Sequence, residues 1–217
     1  MKKEIKKDIK KEIKKKIEKK ICNFCKKEIN LRKFEDHLPE CIVNYTDGKT
    51  GFLIEFIAEN NFTNKTYQMF AIIGSKCKFS HIANFIKKIW CDCCNHRSDI
   101  HMFEFVDKYK TRQKITLKTP AIEYAHANQF AFTYDFGMPT IIYFRFLQIL
   151  PEDELTNIDL LYRNEEHILK CNNCDNNAKY VYEETLLCEL CKDNTPEPES
   201  CNKLNNSPRD GVECYSA

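Results

Sequence analysis

Glycine is scarce in this chain, which has five glycines among 217 residues. Phosphate-binding loops and nucleophile elbows need glycines at fixed, short spacings, because the backbone there turns tightly or approaches the ligand closely. No such loop, no nucleophile elbow and no metalloprotease helix motif occurs in the sequence. The enzyme classes that are recognised by these motifs are therefore excluded.

Long apolar runs are missing as well. The best candidate, residues 140–150, is too short to span a bilayer and contains Arg145 and Gln148. The N-terminal sequence MKKEIKKDIK does not resemble an apolar export signal. We therefore expect no membrane association and an intracellular location, cytoplasmic or nuclear.

Cysteine, by contrast, is abundant, with thirteen residues. In a reducing compartment thiols stay reduced, so Cys-x-x-Cys pairs indicate metal ligands rather than disulfides. The sequence contains such pairs near both ends of the chain. Metal binding is therefore the first hypothesis for its function.

Charge is distributed unevenly. Residues 1–20 carry eleven Lys and four acidic residues, whereas the other 197 residues carry 23 Lys/Arg and 28 Asp/Glu. Isoleucine recurs at every fourth position from Ile5 to Ile21, a stripe too narrow for a coiled coil. We interpret residues 1–20 as a charged helical or disordered arm, with an electrostatic tether for a polyanion as the alternative. The net acidic remainder is a poor general polyanion binder.

Residues 21–43 contain the first metal-ligand pattern. Its four members are spaced Cys-x2-Cys-x11-His-x3-Cys and are Cys22, Cys25, His37 and Cys41. Three thiolates and one imidazole at these separations can surround zinc, the first pair from a knuckle and the second from a helix. The segment resembles the small C2HC zinc fingers, and we expect a structural Zn²⁺ site.

Residues 168–192 contain the second pattern, spaced Cys-x2-Cys-x13-Cys-x2-Cys. Its members are Cys171, Cys174, Cys188 and Cys191. Two knuckles around a short strand are typical of a zinc ribbon. Four thiolates leave no coordination position for a reactive water, so this Zn²⁺ is also expected to be structural.

Residues 50–165 are predicted to form the core domain. Apolar residues between Phe79 and Trp90 follow helical spacing and share one face that must be buried. Strands are predicted at 51–58, 66–74, 101–106, 128–136, 141–149 and 158–163, several of them apolar on both faces, with a polar connection at 107–117. The expected fold class is α+β: a mixed or antiparallel sheet packed on one main helix, flanked by two small zinc-binding units.

A third group of cysteines and histidines follows the predicted helix, and its members are Cys91, Cys93, Cys94, His96 and His101. Some of these residues could hold a third zinc ion. They could not all do so, because the side chains of adjacent cysteines diverge and cannot both bind one tetrahedral ion comfortably. The alternative, which we favour, is that Cys93 or Cys94 fills the core at the end of the helix and that His96 binds the last carbonyls there.

Asp135 lies at the end of a predicted strand. In an enzymatic alternative it would work with Cys93, Cys94, His96 and His101 as a general base or a metal ligand. The more common arrangement is that such an aspartate accepts backbone hydrogen bonds in the turn that follows it. We therefore favour an interaction protein over an enzyme.

Residues 193–217 are polar and rich in Pro, Asn and Ser, without an apolar period. This composition predicts a disordered tail. Cys201 and Cys214 are then incidental free thiols.

Three motifs resemble a known family. Trp90 with Cys93-Cys94-Asn95-His96 is similar to a Trp-x-x-Cys-Cys-Gly-His pattern, and the other two motifs are Tyr134-Asp135-Phe136-Gly137 and Leu160-Leu161-Tyr162-Arg163-Asn164. Over residues 50–191 the chain resembles the zinc-finger-bearing branch of the Ri-plasmid open-reading-frame-three-like domain family, found in plasmid- and transposon-associated proteins of unassigned activity. Asn95 replaces the family's glycine, and His101-Met102-Phe103 keeps part of its His-Leu-His pattern. The resemblance implies an α+β fold and no reaction.

Together these features predict a zinc-binding interaction protein with two Zn²⁺ ions, or three if the central group binds. Its partner is expected to be nucleic acid or a protein. Within the finger, the candidate contacts to nucleic-acid phosphates are Lys26, Lys27, Arg32 and Lys33.

Overall fold

The computed structural model describes residues 19–30, 33–46, 48–91, 97–106, 109–125, 129–151 and 154–212. The chain divides into two compact units, residues 1–49 and residues 50–217. No helix in the described ranges is long and apolar enough to cross a membrane.

In its described residues, the first unit contains a small hairpin and one helix. Strand β1 (Lys19–Ile21) pairs antiparallel with β2 (Glu28–Asn30), and helix α1 spans Phe34–Val43. The buried hydrophobic side chains among these described residues are Cys22, Phe34, Leu38, Cys41 and Ile42. Lys19 and Lys20 lie in a strand, so the predicted helical or disordered arm is wrong for these two residues; residues 1–18 lie outside the described ranges.

The second unit contains a sheet of seven antiparallel strands. They are β3 (Phe52–Asn60), β4 (Lys65–Ile73), β5 (Ser98–Val106), β6 (Tyr109–Ile115), β7 (Gln129–Tyr134), β8 (Thr140–Ile149) and β9 (Ile158–Arg163). Their order is β6-β5-β7-β8-β3-β4-β9. The predicted α+β fold class is confirmed.

One main helix covers a face of this sheet. Helix α2 spans Phe79–Ile86 and continues as a π-helical turn over Lys87–Cys91, and a 3₁₀ turn occupies Ala121–Tyr124. Phe79, Ile82 and Trp90 are fully buried against alternate residues of the strands. The helical spacing in the sequence therefore identified the correct buried face.

The strands β3 and β4 are buried on both faces, as their apolar sequences predict. Phe52, Ile54 and Phe56 belong to the core beneath α2, while Leu53 and Phe70, which point the opposite way, are also buried. The sheet is therefore packed on each side at these two strands.

Strand β6 was not predicted; the sequence interpretation placed a polar connection there. Residues 109–115 alternate basic and uncharged side chains and contain few apolar residues. β6 is the edge strand beside β5, and charged residues on an edge strand discourage pairing with other chains. Apolar alternation, the usual signal of a strand, is consequently missing.

The C-terminal part of the second unit forms a smaller sheet. β10 (Tyr180–Tyr182) pairs with β11 (Thr185–Leu187) and also with β12 (Asn202–Lys203). Between them lie the short helix α3 (Glu189–Lys192) and a 3₁₀ turn at Pro198–Ser200.

The predicted disorder of residues 193–217 is therefore wrong for residues 193–212. β12 is part of a sheet, and Ser207, Arg209 and Asp210 are buried. Their order comes from hydrogen bonds to distant residues rather than from apolar burial, so composition does not reveal it. Cys201 is half-buried against the cluster formed by Cys171, Leu187 and Cys188, and Cys214 lies outside the described ranges.

Candidate metal centres

The first predicted ligand set is brought together by a turn and a helix. The N–H of Lys26 donates to the carbonyl of Cys22 and the N–H of Cys22 donates to the carbonyl of Lys27, both at 2.9 Å. Lys26 adopts a left-handed backbone with φ of 59°, which closes the knuckle tightly. His37 and Cys41 are one helical turn apart on α1, so their side chains lie on the same face.

The distances within this set are those of a tetrahedron around zinc. Cys22 Sγ lies 3.7 Å from Cys41 Sγ, and Cys25 Sγ lies 3.4 Å from His37 Nε2. Zn–S bonds of about 2.3 Å and Zn–N bonds of about 2.0 Å give tetrahedral S···S and S···N separations of roughly 3.8 and 3.5 Å. All four ligand atoms lie within 4.8 Å of one another. The set is compatible with zinc binding.

The second set, which we call the four-thiolate set, shows the same geometry. Cys174 Sγ lies 3.6 Å from Cys188 Sγ and 3.7 Å from Cys191 Sγ, and with Cys171 all four sulfurs lie within 4.8 Å of one another. Asn172 Oδ1 accepts the N–H of Leu186 at 2.6 Å, which ties the first knuckle to β11. The four-thiolate set is also compatible with zinc binding.

Backbone N–H groups point at several of these sulfurs and favour their thiolate forms. The N–H of Lys27 lowers the pKa of Cys25, and the N–H of Cys191 lowers that of Cys188. Burial raises the pKa of Cys171, but the N–H groups of Asn173 and Cys188 outweigh it and bring the value to about 6. Such hydrogen bonds orient metal ligands and stabilise their charge.

Both sets consist of four protein ligands that can close a tetrahedral ion completely. A closed zinc site has no position for a substrate or a reactive water, so its role is structural. The ten free cysteines among the described residues include all seven cysteines of the two sets.

The predicted third group is only partly covered by the structure. Cys91 is fully buried in the core between α2 and the sheet, where it acts as a small apolar residue. Cys93, Cys94 and His96 lie outside the described ranges, so a third zinc site stays a prediction. The alternative in which Cys93 or Cys94 fills the core also stays a prediction.

Asp135 and His101 do not converge. His101 is paired with Ala131, four residues from Asp135, which corresponds to about 13 Å along a strand. Asp135 Oδ1 instead accepts the N–H groups of Gly137 at 3.1 Å and Met138 at 3.4 Å. The alternative in which this aspartate orders the turn is therefore confirmed, and an Asp135–His101 acid–base pair has no support.

The other oxygen of Asp135 binds a residue that the sequence did not single out. Arg209 Nη2 lies 3.1 Å from Asp135 Oδ2, and the Arg209 side chain is 1% exposed. Its guanidinium also lies 5.0 Å from the centre of the Tyr134 ring. No motif or spacing marks a pair that is 74 residues apart.

The candidate phosphate contacts are at the surface of the first unit. Lys26, Lys27 and Lys33 are exposed, and Lys26 Nζ donates to the carbonyl of Asn23 at 2.7 Å. Arg32 lies outside the described ranges. The exposed lysines do not belong to the metal-ligand set and are accessible to a partner.

Comparison with known proteins identifies no family for this chain. No known family and no curated protein matches the sequence. Among solved structures, the chain is similar to a protein of unknown function, MM3350, from Methanosarcina mazei Go1. The match has a TM-score of 0.42 and 15% identity, and covers 52% of this chain and 67% of the other.

Proposed function

We propose that the protein is a zinc-binding interaction module in which two structural Zn²⁺ ions order small recognition units that accompany an α+β core. The observation that carries this proposal is the pair of tetrahedral ligand sets. Cys22, Cys25, His37 and Cys41 would hold one ion, and the four cysteines of the ribbon would hold the other. The ions supply folding free energy, on the order of 10 kcal/mol or more at each site.

The partner that we propose is nucleic acid, bound through residues 1–49. This segment carries sixteen Lys/Arg and nine Asp/Glu, whereas residues 50–217 carry eighteen and 23. Electrostatic attraction to phosphates therefore favours the first unit and opposes the second. Binding to a protein through the same unit is the alternative outcome.

We also propose that residues 50–191 belong to the Ri-plasmid open-reading-frame-three-like family. Parts of the three motifs that support this proposal belong to the described residues: Trp90 lies in the π-helical turn, Asp135 orders a turn, and Leu160–Asn164 lies in and after β9. Cys93–His96 lie outside them. We propose an intracellular, reducing environment, because the two ligand sets need their cysteines as reduced thiolates.

The zinc proposal is tested by metal analysis of protein purified without chelators. The wild-type chain should hold two zinc ions, or three if the central group also binds. Cys25→Ser and Cys191→Ser should each lose one equivalent. Cys201→Ser is the matched control, because Cys201 lies beside the ribbon cluster but outside its ligand set. Wild-type protein without zinc would contradict the proposal.

The nucleic-acid proposal is tested by salt titration on single- and double-stranded DNA and RNA. Affinity should fall steeply with added salt, because each neutralised phosphate releases counterions. Deleting residues 1–18, which leaves β1 intact, should flatten this dependence, and Lys26→Ala with Lys27→Ala should reduce it further. If zinc-loaded protein binds none of these nucleic acids at low salt, the first unit is assigned to protein contact.

A further inference from the structure

The chain that follows the zinc ribbon continues directly from its last strand, β12, with no linker between them. β12 pairs with β10, with Val181 opposite Asn202 and Tyr180 opposite Lys203. The N–H of Leu204 then donates to the carbonyl of Lys179 at 2.9 Å. The residues that follow are therefore positioned by the ribbon sheet.

The next residues, Asn205–Gly211, are bound by the core; we call them the tail segment. Arg209 Nη1 donates to Thr140 Oγ1 at 3.1 Å, and Arg209 Nη2 pairs with Asp135. The Arg209 side chain is 1% exposed and contacts Tyr134, Asp135 and Thr140; we call the place that it occupies the Asp135 cleft. In the described part of the chain, Arg209 lies inside this cleft and its guanidinium is shielded from solvent.

Further hydrogen bonds fix the backbone of the tail segment. Asn60 Nδ2 donates to the carbonyls of Pro208 at 3.1 Å and Asp210 at 2.7 Å. Ser207 Oγ donates to the carbonyl of Trp90. Gly211 has φ of 87°, and a Cβ there would lie 2.3 Å from the Phe62 ring. The segment therefore fits a specific place on the core.

This attachment is almost entirely polar. Neutral hydrogen bonds exchange with water, so each contributes about 1 kcal/mol net, and the bonds between the charged groups of Arg209 and Asp135 contribute about 1.5–3 kcal/mol. Ordering each residue of a free chain opposes this by roughly 1–2 kcal/mol. The tail segment therefore stays bound to the core only if the residues before it are already ordered. Their order raises the effective concentration of the tail segment at the cleft.

The order of those preceding residues depends on the four-thiolate set. The ribbon's buried cluster consists of Cys171, Leu187 and Cys188, and two of these three are candidate zinc ligands. Strands of three, three and two residues are too small to stay folded on so few apolar contacts. Loss of the metal would unfold β10–β12 and release the residues that lead into the tail segment.

We propose that the tail segment is a zinc-dependent latch: it covers the Asp135 cleft while the four-thiolate set holds zinc and leaves the cleft when that zinc is removed. This inference rests on the proposed zinc binding. Release would expose the carboxylate of Asp135 beside the ring of Tyr134, a combination that binds a guanidinium. The opened cleft would accept an arginine-bearing peptide in place of Arg209.

The first test is hydrogen–deuterium exchange on the full chain. Within the tail segment, the N–H groups of Asn205 and Ser207 donate to the Asp210 carboxylate at 2.9 Å. Ser207, Arg209 and Asp210 are also buried. Exchange of these N–H groups therefore reports loss of the folded, docked segment. Cys191→Ser should accelerate exchange in residues 204–211 by roughly tenfold or more while β3 and β4 stay protected. Cys25→Ser, which removes the other site, should leave these residues protected.

Two results of this experiment overturn the latch. One is unchanged protection of the tail segment in Cys191→Ser that has lost its ribbon zinc. The other is equal deprotection in Cys25→Ser, which would show a response to general destabilisation. Wild-type protein that holds no zinc at the four-thiolate set would instead reject the proposed function itself.

Thermodynamic reciprocity supplies a second test. If zinc stabilises the closed latch, closure must strengthen zinc binding by the same factor, commonly about 5- to 150-fold for coupled sites. Arg209→Ala should therefore weaken ribbon zinc binding within this range, measured by competition with a chromophoric chelator. Ser207→Ala, a milder change, should weaken it in the same direction and by less.

The matched control is Arg145→Ala. Arg145 also pairs with a carboxylate of the sheet, Glu55, at 2.7 Å, but it does not belong to the tail segment. This variant should keep ribbon zinc affinity within about twofold of wild type, because distant sites act independently. Equal losses in Arg209→Ala and Arg145→Ala, or no loss in Arg209→Ala and Ser207→Ala, would overturn the latch.

Discussion

At the scale of single residues, the ligand sets contain thiols of opposite character. Burial raises the pKa of Cys41 to about 12, and the hydrogen bond with Cys188 raises the pKa of Cys191 to about 12. Cys171, with a pKa of about 6, is a thiolate at neutral pH. Since zinc binds thiolates, the metal must displace a proton from Cys41 and from Cys191 but none from Cys171 at about pH 7.

Zinc binding is therefore expected to release protons at neutral pH and to strengthen as pH rises. The pKa of about 12 for Cys191 keeps this ligand protonated throughout the neutral range, so the dependence continues above about pH 8. Calorimetric titration of metal-free protein in buffers of different ionisation enthalpy measures the proton count. A count of zero at neutral pH, with Cys201→Ser as the unchanged control, would contradict this expectation.

Glu55 is a second residue whose environment has a measurable consequence. Its side chain is 2% exposed, and its carboxylate accepts hydrogen bonds from Gln68 Nε2 at 2.8 Å and Arg145 Nε at 2.7 Å. Removing one partner of a buried pair leaves the other charge without compensation.

Arg145→Ala should therefore lower the free energy of unfolding by about 2–3 kcal/mol, less than a fully buried pair because Arg145 is half exposed. Urea unfolding followed by Trp90 fluorescence measures the change. Arg145→Lys should recover part of the loss, since the ammonium can still reach Glu55. A loss below about 0.5 kcal/mol, the usual range for surface substitutions, would show that the pair is energetically unimportant.

At the scale of elements, the start of β3 depends on one close approach. Gly51 has φ of 100°, and a Cβ there would lie 2.1 Å from the carbonyl oxygen of Ile73. Gly51 also exchanges backbone hydrogen bonds with Leu150 and Pro151 at 2.8 and 2.9 Å. The residue thus joins β3, β4 and the end of β8.

Gly51→Ala should destabilise the second unit by more than about 2 kcal/mol, because left-handed strain adds to a clash with rigid backbone. Gly137→Ala is the control, since its Cβ would meet only Asp135 Oδ1 at an ordinary 3.5 Å. The comparison is made from urea midpoints. Similar midpoints for the two variants would mean that β3 shifts freely to accept a side chain.

At the scale of the whole molecule, the candidate metal ligands are not part of the main apolar core. The buried cluster around Trp90 contains neither ligand set. The two ligand sets instead lie in the first unit and in the C-terminal part of the second. The seven-stranded sheet therefore has its own source of stability in buried apolar area.

Removing zinc with a strong chelator should leave this sheet folded. Trp90, which is fully buried, should keep the short emission wavelength of a shielded indole, and most of the β-sheet circular dichroism should persist. Urea-unfolded protein gives the reference for complete exposure. A shift of the chelated protein to that reference would show that the core also requires the metal.

The amino-acid sequence alone determined the parts of this protein that depend on local spacing. Both ligand sets were identified from cysteine and histidine separations, because a knuckle or one helical turn places neighbouring ligands without help from the rest of the chain. The buried face of α2 and the strands β7 and β8 were predicted from local spacing as well.

Only the tertiary structure decided the edge strand β6 and the place of the tail segment. β6 lacks apolar alternation, so its pairing with β5 is set by the neighbouring strand rather than by its own pattern. Arg209 and Ser207 find their partners 74 and 117 residues away. Contacts between polar groups so distant in sequence have no periodicity, because they depend on where the whole chain places each donor and acceptor.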